Sequence, residues 1–340
     1  MNVRDRSGPA GVMTGLMLGS AILLVLSLGL GSQGWQWPWA DDPGGVMSQI
    51  LWDIRMPRSV GAWLAGALLG LAGAVAQGLF RNPLAEPYLL GSSSGAALAV
   101  TLTLCLVQLW GGDGEGLATG MGGSLWQVWG LTGAAFAGAL GGVLLTLLLA
   151  RGAAHTMRLL LAGVVVGVVL GALTSLLMAS VPSVWRGMQS FLLGNTGLLS
   201  WEASGVMLLA WLLCLPLALS LSRVLDALTL GEDSARALGV PLSQARMALV
   251  MVLALATAAA VAQVGLVAFV GLAAPHLVRP LMPLRHGSLV LAASFMGGLL
   301  LMAADVLSRS LMPPQDIPVG VLTAVLGGSY LLWLMYRGRV

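Results

Sequence analysis

Apolar residues arrive in long runs near 12–30, 59–80, 89–110, 126–150, 159–180, 201–221, 246–263, 265–283, 288–307 and 317–336, with polar residues confined to the short gaps between them. Each run approaches the roughly 20 residues that a helix needs to cross a bilayer. In lipid a spanning backbone must satisfy its own hydrogen bonds, so runs of this length predict helices. The pattern therefore predicts an all-α polytopic membrane protein with about ten transmembrane helices, and no stretch within 1–340 is polar enough for a separate soluble domain. The seventh and eighth runs are punctuated only by Gln263-Val264-Gly265. The first follows Arg4 and Arg6 as a signal peptide would, but no small-residue cleavage motif succeeds it, so it reads as an uncleaved first helix. Trp35, Trp37 and Trp39 then fit an interfacial aromatic belt.

Composition sharpens this picture. Hydrophobic residues make up 58% of the 340 and charged residues 9%, against roughly 25% charged in a soluble domain. Mean hydropathy is +0.92. All 16 basic residues are arginine. Without lysine the chain can form neither a P-loop of the lysine type nor a Schiff base. ATP, if used, must be hydrolysed by another chain. The net charge of +3 comes from arginines scattered at the ends of apolar runs, which is a topology signal and gives no nucleic-acid surface. Cys105 and Cys214 lie inside apolar runs, and His155, His276 and His286 lack metal-ligand spacing, so no metal site is expected. Gly91-Ser92-Ser93-Ser94-Gly95 matches a nucleophile elbow in letters alone, because no strand precedes it. No catalytic residue is assigned.

Orientation follows from the arginines. If the amino terminus is inside and the spans alternate, 12 arginines fall inside and four outside, the latter being Arg55, Arg58, Arg186 and Arg309. Positive residues mark the cytoplasmic side, so both termini are expected there. Within the spans, Gly66 and Gly70, Gly138 and Gly142, and Gly163 and Gly167 form small-xxx-small pairs that allow close helix packing.

Four segments break the apolar monotony. Arg55-Met56-Pro57-Arg58 puts two arginines on the outer face, either as snorkelling side chains or as a docking point for an acidic partner. Phe80-Arg81-Asn82-Pro83-Leu84-Ala85-Glu86-Pro87 carries two prolines that forbid a regular helix, which fits a tight turn or a constriction in a pathway. The longest inner connection, 222–246, places Glu232 and Asp233 in the first turn of a short helix capped by Gly239, with a second short helix starting at Ser243 after Pro241. The last combines 265–279 with Ala304-Asp305-Val306-Leu307-Ser308-Arg309, where Asp305 and Arg309 are spaced to pair on one helix face.

Together the stretches RMPRSVGAWLAGALLGLAGAVAQGLFRNPLAEPYLLGSSSGAAL, LGEDSARALGV, VGLVAFVGLAAPHLVR and ADVLSRSLMPPQDIPVGVLTAVLGG resemble one family. It is the permease family of ABC importers for iron–siderophore complexes, haem and cobalamin, and the resemblance runs from about Ile54 to Arg339. It implies the type II ABC importer permease fold in the bacterial inner membrane. It also implies a second copy of the chain forming a homodimer around the pathway, two ATPase subunits holding ATP and Mg, and a periplasmic substrate-binding protein delivering a metal chelate. By motif match, Arg55, Arg58 and Arg309 would meet glutamates of the binding protein. Asn82 and Leu84 would belong to a cytoplasmic gate, with a second gate element at the start of the fifth span after Arg158. Gly231, Glu232, Ala235, Arg236, Leu238 and Gly239 would couple to the ATPase within the 222–246 loop. The sequence departs from the family at 191–197 and at Gly327-Gly328-Ser329-Tyr330.

The alternative, a secondary transporter driven by an ion gradient, needs ionisable groups near the midplane. The spans offer Gln77 and Gln263 there, but no mid-span Asp, Glu or Lys.

Overall fold

A computed structural model of the chain describes residues 9–31, 34–35, 45–109, 125–281 and 285–336. Arg4, Arg6, Trp37, Trp39, Arg337 and Arg339 lie outside the described residues. The described residues form thirteen helices, a 3-10 turn at Pro87–Leu90 and one two-residue antiparallel pairing, Leu30–Gly31 with Gly34–Trp35.

Helix α1 is Pro9–Gly29, α2 Val46–Phe80, α3 Ser92–Leu109, α4 Leu125–Leu149, α5 Thr156–Ser180, α6 Pro182–Leu193 and α7 Trp201–Ser220. Then come α8 Ser222–Thr229, α9 Glu232–Ala237, α10 Leu242–Val264, α11 Val270–Val278, α12 His286–Ser310 and α13 Val319–Tyr336. Nine of these are long and apolar enough to cross a membrane: α1 to α5, α7, α10, α12 and α13.

The eighth apolar run is where structure and sequence pattern part. Its first five residues, 265–269, are not helical, and only Val270–Val278 coils into α11. The cause is local. Gly265 (φ +69) and Phe269 (φ +68) both adopt left-handed backbone conformations that interrupt a helix. The segment still traverses the bundle. At one end Leu266 N–H donates to the Phe191 carbonyl (2.9 Å) and Val264 C=O accepts from Asn195 N–H (2.9 Å). At the other, Arg279 reaches Gln77 near the end of α2. Five non-helical residues reach at most about 17 Å and nine helical ones about 14 Å, enough to approach the roughly 30 Å of a hydrocarbon core. The tenth crossing is thus a broken one.

Helix α2 is the centre of the bundle, with 89% of its most apolar window buried. Small residues make that possible. Carbon added at Gly66 or Gly70 would collide with the backbone of Gly297 or Ala293 on α12. Trp63 (α2), Trp211 (α7) and Phe295 (α12) meet edge to face at 5.2–6.3 Å, and Trp211 Nε1 donates to Ser294 Oγ (2.9 Å).

The two ends of the bundle differ. The upper end carries Arg55, Arg58, Arg186 and Arg309; the lower carries Arg81, Arg236, Arg246 and Arg279. In the 222–246 segment the two short helices are α8 and α9. The second short helix expected at Ser243 is instead the start of α10, because no residue from Leu242 to Val264 breaks the helix once Pro241 has been passed.

Candidate functional site

At the upper end, Asp305 organises the expected docking arginines. It is fully buried on α12. Its Oδ1 accepts from Arg58 Nε (2.9 Å) and its Oδ2 from Arg309 Nη2 (2.8 Å). Thr196 Oγ1 also donates to Asp305. Arg58 Nη1 reaches Asp316 (2.7 Å), while Arg309 donates to the backbone and side-chain oxygens of Ser27. A buried arginine must be paired to be tolerated, and Asp305 serves two of them from different helices. Arg55 is the more exposed of the three and donates to the Leu28 carbonyl (2.8 Å). Beside them a cleft of about 470 Å³ is lined by Arg58, Arg186, Gln189, Asn195, Thr196 and Asp316 among others.

At the lower end, a helix terminus builds the turn. Helix α2 stops at Phe80; Arg81 takes a left-handed conformation (φ +51) and Asn82 N–H returns to the Gln77 carbonyl (3.2 Å). The Asn82 side chain accepts from Leu84 N–H (2.9 Å), an Asx turn that shapes the loop without regular structure. Asn82 and Leu84 are exposed. Glu86, extended before Pro87, accepts the Phe269 N–H at the head of α11 (3.1 Å). Burial pushes the Glu86 carboxyl above its ordinary range.

The coupling candidates sit on and around α9. Gly231 precedes it at φ +99 and Gly239 follows it at φ +78, its N–H returning to the Arg236 carbonyl (2.9 Å). Ala235 is fully buried, whereas Arg236, Leu238 and Gly239 are exposed. Glu232 ties the helix down. Its Oε1 accepts from Arg246 Nη2 at the start of α10 (2.6 Å) and lies 3.9 Å from Arg81 Nη2, and its Oε2 accepts from Arg236 (3.4 Å). The Arg246 hydrogen bond holds the Glu232 carboxyl below the usual carboxylate range. Asp226 on α8 accepts both the backbone N–H and the Nδ1 of His286 (2.9 and 2.7 Å), which fastens α8 to the head of α12.

The structure thus brings Arg58 and Arg309 together, places Arg55 close by, and joins Glu232 to the turn that carries Asn82 and Leu84. The pairing of Asp305 with Arg309 follows the helical spacing. Thr196, Asp316, Glu86 and Arg246 were not legible as partners, since each meets a residue at least 14 positions away. Ser92 and Ser93 fall in the first turn of α3, so the elbow-like motif opens a helix with no strand before it.

Among the described residues, nine long apolar helices, a broken tenth crossing and short helices bound to one end make a polytopic membrane bundle. The comparisons define which kind. Residues 14–337 match the FecCD transport family, and the chain belongs to that family. It is 37% identical to the hemin transport system permease protein HmuU of Yersinia pestis, covering 95% of this chain and 96% of that one. It is 36% identical to the vitamin B12 import system permease protein BtuC of Pectobacterium atrosepticum, covering 99% and 96%. A solved structure described as a metal-chelate type ABC transporter in an inward-facing conformation superposes with a TM-score of 0.82, at 31% identity over 96% of this chain and 99% of that one. The chain is a permease of the ABC-importer type, and the secondary-transporter alternative is set aside.

Proposed function

We propose that the chain imports a metal chelate of the haem, cobalamin or iron–siderophore class, as a homodimer with the pathway at its interface. Two ATPase subunits bind the lower end and supply ATP and Mg, and this chain holds no cofactor and breaks no bond. A periplasmic binding protein docks on the upper end through Arg55, with Arg58 and Arg309 behind it; arginine suits that role because its planar fork pairs carboxylates bidentately. The membrane is the bacterial inner membrane and both termini face the cytoplasm. The excess of arginines at the lower end supports this orientation. Asn82 and Leu84 act in the inner gate, and Gly231, Glu232, Ala235, Arg236, Leu238 and Gly239 carry the motion of the ATPases to it.

The observation that carries this reading is the surface around α9. Leu230 and Leu238 flank the helix with 67% and 65% of their surface exposed, at the charged end of the bundle. Exposed apolar side chains rimmed by charge mark a protein interface. The same helix is bonded through Glu232 to Arg246 and lies beside Arg81, so whatever binds it is connected to the gate turn. Replacing Leu230 and Leu238 together by arginine is expected to abolish co-purification of the ATPase subunits while the permease remains folded. Undiminished co-purification would refute the assignment of this surface.

A further inference from the structure

The gate turn and the broken crossing are fastened to one another by side chains that neither the docking nor the coupling assignment uses. Glu86 accepts the Phe269 N–H at 3.1 Å, and Tyr88 Oη donates to the Val267 carbonyl at 3.0 Å. Phe269 is the residue from which α11 starts; its own carbonyl accepts the first helical bond, from Ala273 N–H (2.8 Å). The Glu86 carboxylate therefore stands at the amino end of α11, where unpaired N–H groups and the helix dipole favour negative charge.

Phe269 is also unusual in itself. A bulky residue in the left-handed region is strained and persists only where its surroundings hold it. Two contacts do so: the Glu86 bond, and the last span, where a carbon added at Gly327 would collide with the Phe269 side chain. Farther along α11, Gln77 Nε2 donates to the Leu272 carbonyl (3.2 Å) and accepts from Arg279 through its Oε1 (3.1 Å), which binds the half-helix to α2. On the opposite side of the turn, Arg81 faces Glu232. A continuous series of contacts thus runs from α9, through the turn and Glu86, to Phe269 and α13.

We propose that Glu86 is a positioning residue of the transport cycle, whose carboxylate fastens the gate turn to the amino end of the broken crossing so that the two move together when the coupling helix moves. The proposal rests on the reading of the chain as an ATP-driven importer and adds to it the element through which the inner gate reaches α11 and α13.

Amide hydrogen exchange tests it without knowledge of the cargo. The permease is purified with its ATPase subunits and exchange is followed at 81–91 and 266–275, with and without ATP and vanadate. In the parent complex, nucleotide is expected to alter exchange at both segments. In Glu86→Leu the change persists at 81–91 and shrinks about fivefold at 266–275, the effect of losing one hydrogen bond. Glu86→Gln keeps an acceptor oxygen and behaves as the parent. The proposal is overturned if Glu86→Leu leaves both responses intact, or if it raises exchange throughout α2 and α12, which is a general loss of structure. A parent complex with no nucleotide response at either segment refutes the ATP-driven reading and the proposal with it.

Discussion

Glu232 and Arg246 are joined by a 2.6 Å hydrogen bond between a short surface helix and the first turns of a long buried one. The arginine side chain is 2% exposed and the carboxylate 27%. Arg246 also donates to the Ala154 carbonyl in the loop before α5. One guanidinium therefore anchors α9 to two other elements, and a charge exchange between the two positions cannot reproduce this, because glutamate at 246 offers the Ala154 carbonyl no donor. Removing the carboxylate leaves a buried charged donor unsatisfied, at a cost of about 1–3 kcal/mol or more. Glu232→Ala is expected to lower the melting temperature of the purified permease and to reduce ATPase co-purification. The reciprocal double variant Glu232→Arg with Arg246→Glu is expected to restore neither.

The same pair sets an acid limit. Because the folded-state value of Glu232 lies below the ordinary 4.5, its contribution to stability is complete above that value and is lost as pH falls through the depressed one. Thermal melts from pH 7 down to about 3 should fall more steeply on the acid side for the parent than for Glu232→Gln. Identical slopes would show that the carboxylate is not held by Arg246 in solution.

The arginines of the upper end should separate by burial. Asp305→Ala deprives two buried arginines of their shared counter-charge, and breaking such a pair costs about 3–5 kcal/mol; a large fall in melting temperature is expected. Arg55→Glu changes a more exposed residue and should shift melting little, while it abolishes stimulation of ATP hydrolysis by the binding protein. A stable Asp305→Ala, or an Arg55→Glu that is stimulated normally, would contradict the respective assignment.

Much of this arrangement could be read from residue order, and the reasons for the rest are specific. Runs of apolar residues gave the spans because a bilayer demands length and apolarity together. Arg55, Arg58 and Arg309 could be placed at one end by counting charge, and α9 by its acidic first turn and the glycine beyond it. The break at 265–269 was not visible, because Val-Ala-Phe is as apolar as a helix and the interruption lies in backbone conformations at Gly265 and Phe269. The inward pairing of Arg58 was hidden for a different reason. Asp305 lies 247 residues away, and only helix packing brings the two together.

Helix packing itself is testable through glycine. At Gly73, an added methyl would run into the backbone carbonyl of Gly271 on α11, whereas nothing lies within 4 Å of one at Gly205. Gly73→Ala should cost a few kcal/mol, in the range of severe overpacking, and Gly205→Ala should be neutral or slightly stabilising. Melting temperature and yield of folded protein after size-exclusion chromatography report both.

Uptake into sealed proteoliposomes containing this chain and its ATPase, with binding protein outside, tests the central claim most directly. Labelled haemin, cobalamin and ferric siderophores are each offered with and without ATP inside. Accumulation of one of these chelates that requires both internal ATP and the binding protein is the expected result. Accumulation that proceeds equally well without ATP would contradict it.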